Sequence, residues 1–311
     1  MAHSLSETVD VVFFGTHEFA VEILSGLVQD PMIRVVEVIT QPDRPVGRKQ
    51  ILQPPPVKVF AEKQHLRISQ PPSLKTYTVD SGGYHLNIVA QYGKLVPAHI
   101  IQAPRHGTIN VHTSLLPKYR GASPIQAALL HGETETGVTI MVMDEGLDTG
   151  PILTQEKITI GPDEIYDELE KKLAAVGRQL LLKTIPLYVS GQIRPVAQSN
   201  IGITLCKQLT REEGRVDWKQ TATEIYNQFR ALSPWPGIWT TWNNQRVKLL
   251  RIAPATQHID SGAVTVDGNR LFVGCGEQSI ELHTLQLEGK NPTSAADFIK
   301  GHPGVSGTTF Q

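Results

Sequence analysis

The sequence predicts an α/β protein in two parts: a doubly wound domain built on a parallel sheet, then a small all-β domain. Three patterns predict this. Apolar runs of strand length alternate with helically spaced apolar residues through the first half, the alternation ends in a long amphipathic stretch, and beyond residue 206 short β-like runs are divided by turn pairs. Residues 9–14 are continuously apolar and closed by Gly15, as expected of a strand covered on both faces. Phe19, Ala20, Ile23, Leu24 and Leu27 then recur at helical spacing, and residues 33–39 form a second apolar run. Such a β-α-β opening calls for a right-handed crossover and a parallel sheet with helices on its faces. Further strands are expected at 86–90, 108–112 and 138–143, with helical stretches near 57–64 and 124–130. From about Asp163, one face of a long helix carries Ile165, Leu169, Leu173, Val176 and Leu180. Residues 1–189 therefore read as a Rossmann-like, doubly wound domain.

Between 190 and 206 the periodicity fades into SGQIRPVAQSNIGIT, whose glycine, proline and serine suit a connection between domains. Residues 207–311 read as the second domain. It begins with a helix at 222–232 and the turn SPWPG, followed by β-like runs at 238–242, 247–252, 263–266, 271–273 and 280–287. Asn243-Asn244 and Asp267-Gly268 supply turns between them. Five short strands suggest an OB-like β-barrel, a fold that commonly takes oligonucleotides but does not by itself prove function.

Composition narrows the class. With 311 residues, 40% hydrophobic and 19% charged, the chain lies in the globular range and is long enough for two cores without disulfide or metal staples. Cys206 and Cys275 lie far apart with no CxxC pair, which argues against a zinc ribbon, a redox dithiol or a disulfide framework and for a reducing compartment. The start MAHSLSETVD lacks a basic region followed by an apolar run, and no stretch approaches 18 apolar residues. Neither a signal peptide nor a membrane span is expected. The net charge is -1, and residues 207–311 hold 11 basic against 10 acidic residues, so bulk charge does not announce a nucleic-acid binder.

Three segments carry candidate chemistry. FFGTHEFA sets Gly15 before a helix start, where free N–H groups suit an anion. It has one glycine, and Thr40-Gln41-Pro42 stands where an acidic residue would close a dinucleotide fingerprint, so it also reads as a plain turn. GTINVHTSLLPKYRGASPIQ, residues 107–126, joins a strand end, a turn and a helix start. Asn110 and His112 are two apart on that strand and project from one face, as a structural pair would too. MDEGLDTGP, residues 143–151, offers Asp144, Glu145 and Asp148 between Gly146 and Gly150, and alone it also fits a solvated acidic loop. Together the last two supply an amide, an imidazole and a carboxylate beyond two strand ends of one sheet, where open α/β sheets bind ligands. Those groups suit acyl transfer. Asn110 and a protonated His112 would meet an oxyanion, while Asp148 would raise the imidazole pKa and orient the ring. Ser114 lacks the G-x-S-x-G elbow, so direct transfer from donor to acceptor is simpler than a covalent enzyme intermediate.

NVHTSLLPKYRGASPIQ, the upstream AQYGKLVP, and ETGVTIMVMDEGLDTGP resemble the signature of the folate-dependent formyltransferases. TQPDRPVGRKQILQPPPVK, LTREEGRVDW, ALSPWPGIWTTW and LQLEGKNPTSAADFIKGH extend the resemblance over nearly the whole chain, toward members that act on aminoacyl-tRNA. They separate it from the glycinamide ribonucleotide enzymes, which end with the α/β domain. The resemblance implies transfer of the formyl group of 10-formyltetrahydrofolate to the amino group of initiator methionyl-tRNA, by direct amine attack and without a metal. It implies Asn110, His112 and Asp148 as the catalytic trio. Ser114, Leu115, Leu116 and Pro117 would contact the folate, and Gln91, Tyr92, Gly93 and Leu95, with the backbone of 143–146 including Asp144, would border its pterin. Arg44 and Arg48 would belong to a loop entering the tRNA acceptor end. A monomer is implied, cytoplasmic in bacteria or in an organelle matrix, with no membrane partner.

Some positions depart from the usual pattern: His17 where proline is common, Gly47-Arg48-Lys49 rather than Gly-Arg-Gly, and Asn87 where aspartate is frequent. Lys49 would stiffen the loop tip, since glycine adopts positive φ at little steric cost. A nearly neutral second domain leaves RNA affinity to local basic residues, with a modest salt slope. The rival readings are hydrolysis of the formyl-folate, formylation of an amino sugar, a non-catalytic RNA-binding protein and a nicotinamide oxidoreductase. The QPDRP loop argues against the first, retention of the trio against the third, and the missing glycines against the last.

Overall fold

The structure, a computed structural model, describes residues 8–47, 50–79 and 82–311. It divides into two compact units. The first reaches Pro124 and takes in Glu135–Thr159 and Glu170–Cys206; the second comprises Ile125–Thr134, Ile160–Leu169 and Lys207–Gln311. In chain order the elements up to Cys206 are β1 (Val9–Gly15), α1 (Glu18–Gln29), β2 (Ile33–Ile39), β3 (Arg44–Val46), β4 (Ile51–Gln53), α2 (Pro56–Lys63), β5 (Ile68–Ser69), β6 (Leu86–Ala90), α3 (Ala98–Ile101), β7 (Thr108–His112), β8 (Arg120–Gly121), α4 (Pro124–Leu130), β9 (Glu135–Val142), β10 (Ile152–Thr159), α5 (Tyr166–Val189) and β11 (Leu205–Cys206).

One sheet runs in the order β10-β9-β7-β6-β1-β2-β5. β7, β6, β1, β2 and β5 are parallel, as the β-α-β opening requires. Val11, Val12, Phe13 and Phe14 on central β1 are wholly buried, which is why that run shows no polar alternation. α1 buries Phe19, Ala20, Ile23, Leu24 and Leu27, the residues whose spacing predicts it. The buried Asn87 amide donates to the Ile100 carbonyl (2.8 Å) and to Thr108 Oγ1 (3.0 Å), bonds that an ionised aspartate could not donate.

The sheet departs from the all-parallel expectation at one edge, where β9 is antiparallel to β7 and β10 to β9. β10 has no apolar run to announce it. It exposes Glu156 and Lys157 in mid-strand, and Lys157 pairs with Glu135 on β9 (2.8 Å), charges that discourage further strand addition at an edge. The segment 190–206 is tied to the first unit: Val196 bridges Ile152, and β11 pairs in parallel with β8.

The second unit contains α6 (Ala222–Leu232), β12 (Ile238–Trp242), β13 (Gln245–Ala255), β14 (Val264–Asp267), β15 (Arg270–Gly274), β16 (Ser279–Leu287), β17 (Thr293–Ser294) and α7 (Ala295–Gly301). The antiparallel order is β12-β13-β16-β15-β14, with β17 also on β16. Register shifts near Arg251 let the long β13 coil. The two edges of this sheet are joined by residues 307–311. Thr241 of β12 exchanges backbone bonds with Gln311 (2.8 and 2.9 Å), while Val264 of β14 donates to Thr308 (2.9 Å) and Phe310 donates to Gly262 (2.8 Å). The result is a closed small barrel, as five short strands suggested, with two-residue β17 and α7 added. α7 was legible in Ser294-Ala295-Ala296-Asp297, where the Ser294 hydroxyl accepts the Asp297 N–H.

Phe310 is 1% exposed and packs its ring near Trp218 and Trp242. Phe310→Ala is expected to destabilise the second unit by about 3–5 kcal/mol in urea unfolding, the range for a buried aromatic. A loss below about 1 kcal/mol would mean that closure contributes little to stability.

Candidate active site

Loops following β1, β2 and β6 meet at one backbone oxygen. The Tyr92 carbonyl accepts from Thr16 Oγ1 (2.9 Å) and from Gln41 Nε2 (2.6 Å), which ties the three loops together beyond the carboxyl ends of parallel strands. β7 lies beside β6 and ends at His112. Asn110, half-buried, is fixed on both sides through backbone pairing with Val89 and Met141, and its side-chain amide has no hydrogen-bond partner among the described residues.

His112 is 5% exposed, and its Nε2 lies 3.0 Å from the Tyr119 carbonyl oxygen. A carbonyl can only accept, so Nε2 carries a proton and the neutral ring is the Nε2–H tautomer. Nδ1 lies 3.8 Å from Asp148 Oδ2. That exceeds a hydrogen bond, and in the neutral ring it sets a lone pair toward a carboxylate. A proton arriving at Nδ1 converts the contact to an attractive ion pair.

Asp148 reaches His112 by a return path. Because β9 is antiparallel to β7, Val142 ends opposite Ile109, while His112 stands opposite Thr139. The two strand ends expected to meet are thus at opposite ends of β7, and loop 143–151 has to turn back along it. Asp148 adopts φ +53°, a left-handed conformation uncommon for residues other than glycine, and its Oδ2 accepts the Gly121 N–H at 2.8 Å. Gly121 has φ +122°, and a Cβ there would lie 2.1 Å from the Cys206 carbonyl oxygen, so β8 and β11 can pair only with glycine at this position.

The SLLP turn is largely inward. Ser114 is fully buried, its hydroxyl donates to the Lys118 carbonyl (2.6 Å), and its carbonyl accepts from Thr139 Oγ1 (2.6 Å). Gln155 Nε2 donates to the Leu116 carbonyl and to Thr139 Oγ1, both at 2.9 Å. Leu116 is buried as well, whereas Leu115 and Pro117 are half-buried. The Ser114 hydroxyl and the Leu116 backbone therefore hold the turn leading to Tyr119. The Tyr92 ring is turned inward too: it packs edge-on to Phe14 (5.7 Å) in the core, and burial pushes its phenol up to about 12. Gln91 is half-buried and donates to Glu170 (3.1 Å); Gly93 is exposed and Leu95 is 85% exposed. Asp144 is exposed and caps its own loop, accepting from the Gly146 N–H (3.0 Å) and Thr149 Oγ1 (2.6 Å). Arg44, at the start of the β3–β4 hairpin, donates to Gln41 Oε1, and Arg48 and Lys49 lie outside the described residues.

Sequence reasoning missed Thr139, Gln155, Tyr119 and Gly121. The last carried a signal, since a glycine directly after Tyr119-Arg120 suggests a special backbone angle, but nothing in sequence assigns a role to a carbonyl. Among the described residues no group of three or more His, Cys, Asp or Glu side chains is arranged to hold a metal ion, and no helix is long and apolar enough to cross a membrane.

The sequence profile described as "Formyl transferase" matches residues 9–185, and "Formyl transferase, C-terminal domain" matches 208–303. The chain is 41% identical over 303 residues to a "Methionyl-tRNA formyltransferase" of Myxococcus xanthus, covering 96% of each chain. It is 42% identical over 304 residues to one of Caldicellulosiruptor saccharolyticus, covering 94% of this chain and 97% of the relative. Among solved structures, an N-formyltransferase from Helicobacter canadensis in complex with folinic acid and dTDP-3-aminofucose shares the fold, with TM-score 0.66, 19% identity, and coverage of 88% of this chain and 99% of that one. HypX from Aquifex aeolicus in complex with tetrahydrofolic acid aligns with TM-score 0.60 and 14% identity, covering 93% of this chain and 46% of that one.

The tautomer is directly observable. In ¹⁵N spectra at alkaline pH, the His112 Nε2 is expected to resonate as the protonated ring nitrogen and Nδ1 as the bare one; the reverse assignment would break the Tyr119 contact.

Proposed function

The chain belongs to the formyl transferase family, among the methionyl-tRNA formyltransferases, and on that premise we propose that it moves the formyl group of 10-formyltetrahydrofolate to the amino group of initiator methionyl-tRNA. The observation that supports the site assignment is the approach of Asp148, on the returned loop, to within 3.8 Å of the His112 imidazole, with Asn110 two residues earlier on β7. We assign catalysis to residues 1–189, and tRNA contact to the barrel of residues 207–311 and the hairpin that carries Arg44. We further read the protein as a monomer of the bacterial cytosol.

The attacking α-amino group has a pKa of about 7.7–8.0, so part of it is neutral near neutral pH and no strong base is needed first. The amine nitrogen bonds to the formyl carbon, and the carbonyl oxygen takes up negative charge. The uncommitted Asn110 amide suits donation to that oxyanion. His112 is a poorer candidate for the same role, because Nε2–H is engaged by Tyr119 and Nδ1 faces Asp148. Its suited task is proton relay at Nδ1. The adduct nitrogen loses a proton, the tetrahydrofolate nitrogen gains one, and the bond between that nitrogen and the formyl carbon breaks. Asp148 would stabilise the imidazolium during the relay and leave the ring neutral afterwards.

Pure protein incubated with radiolabelled 10-formyltetrahydrofolate and methionylated tRNA is expected to put label into the aminoacyl product. Label released as free formate instead would mark a hydrolase. In the same assay Asn110→Ala is expected to lower kcat by about 10²–10³-fold, the range for removing one oxyanion donor. Unchanged turnover would remove Asn110 from the mechanism. Arg44→Ala is expected to raise KM for methionyl-tRNA and leave a small amine acceptor unaffected; equal defects with both acceptors would exclude a role in tRNA contact.

A further inference from the structure

We propose that Gln198 is the positioning residue for Asp148. It lies in the segment whose composition read as a connection, yet its amide is saturated within the first unit. Nε2 donates to the carbonyls of Asp148 and Gly150, both at 2.8 Å, and Oε1 accepts from Arg120 Nε (3.1 Å) and Nη2 (2.8 Å). Two donors and two lone pairs are all that an amide has.

Those four bonds close a ring around the carboxylate. Arg120 is the residue before Gly121, and the Gly121 N–H holds Asp148 Oδ2. Gln198 therefore grips the backbone of Asp148 at one end and the strand that anchors its carboxylate at the other. The grip starts from a fixed backbone, because Val196, two residues earlier, exchanges both backbone bonds with Ile152 (2.8 Å each). It acts on a loop that needs holding. Asp148 is left-handed at φ +53°, a conformation that persists only where surrounding contacts over-determine it. Gly150, the second carbonyl held, lies so close to β9 that a Cβ there would be 1.9 Å from the Val142 carbonyl oxygen, so only glycine fits. With the loop pinned at both carbonyls, the 3.8 Å separation of Asp148 and His112 is set by Gln198.

This inference rests on the reading of Asp148 as the partner of His112, and the test separates the two. Gln198→Glu keeps an acceptor for Arg120 but loses both donated bonds; Gln198→Leu keeps the size and loses all four. In the full chain both are expected to lower kcat for formyl transfer by about one to two orders of magnitude, the effect of a small misplacement in an active site, with KM for methionyl-tRNA unchanged. The decisive arm is a double-mutant cycle with Asp148→Asn. If Gln198 acts through Asp148, adding Gln198→Glu to Asp148→Asn costs no further turnover. A loss that multiplies fully in the Asp148→Asn background, or normal kcat in Gln198→Glu, overturns the proposal while leaving Asp148 in place. Normal kcat in Asp148→Asn alone overturns the reading beneath it. Should Gln198→Leu melt early, Gln198→Glu and its cycle still decide.

Discussion

The hydrogen bond from His112 Nε2 to the Tyr119 carbonyl, 3.0 Å long and closed off from water, fixes one ring nitrogen as a donor and leaves the other to exchange protons. Much of the surrounding structure keeps that carbonyl where it is. Thr139 and Gln155 bind the turn before it, and β8 with β11 bind the chain after it. The Tyr119 N–H is itself held by Thr204 Oγ1 at 2.7 Å. Polar groups paired in this way around a buried imidazole favour a single arrangement, because alternatives leave some of them without a partner.

A second constraint follows from strand direction. Had β9 run parallel to β7, its following loop would emerge beside His112 without effort, as in an ordinary doubly wound sheet. The antiparallel strand sends the acidic loop away from the imidazole, and the chain recovers by folding the loop back. This gives the site a carboxylate that approaches the ring along β7, held by a backbone amide. The left-handed angle at Asp148 and the tight approach at Gly150 are both products of that return.

Much of this was readable from sequence, and what was not has identifiable causes. β1, β6 and β7 are almost wholly buried, and β2 is buried over its second half, so their runs have sharp ends, and α1 and α6 carry clean helical spacing. β10 escaped because an edge strand that exposes Glu156 and Lys157 has neither an apolar run nor a clear alternation. At the site, the side chains Asn110, His112 and Asp148 could be named because amide, imidazole and carboxylate have recognisable chemistry. The Tyr119 carbonyl and the Gly121 N–H could not, since every residue other than proline carries the same two groups. That the side chains of Ser114, Leu116 and Tyr92 point inward escaped for a related reason: a motif states which residues occur together, not which of them are buried.

The barrel also has a history in time. Its seam is made by residues 307–311, and its unit draws on residues as early as 125–134. During synthesis the mixed sheet has all of its strands once residue 159 has emerged, but the barrel stays open until residues 307–311 have followed. Segments made early must therefore wait for later ones, and a pause or stop in translation before residue 307 would leave a finished sheet attached to an unclosed barrel with its two edge strands unpaired.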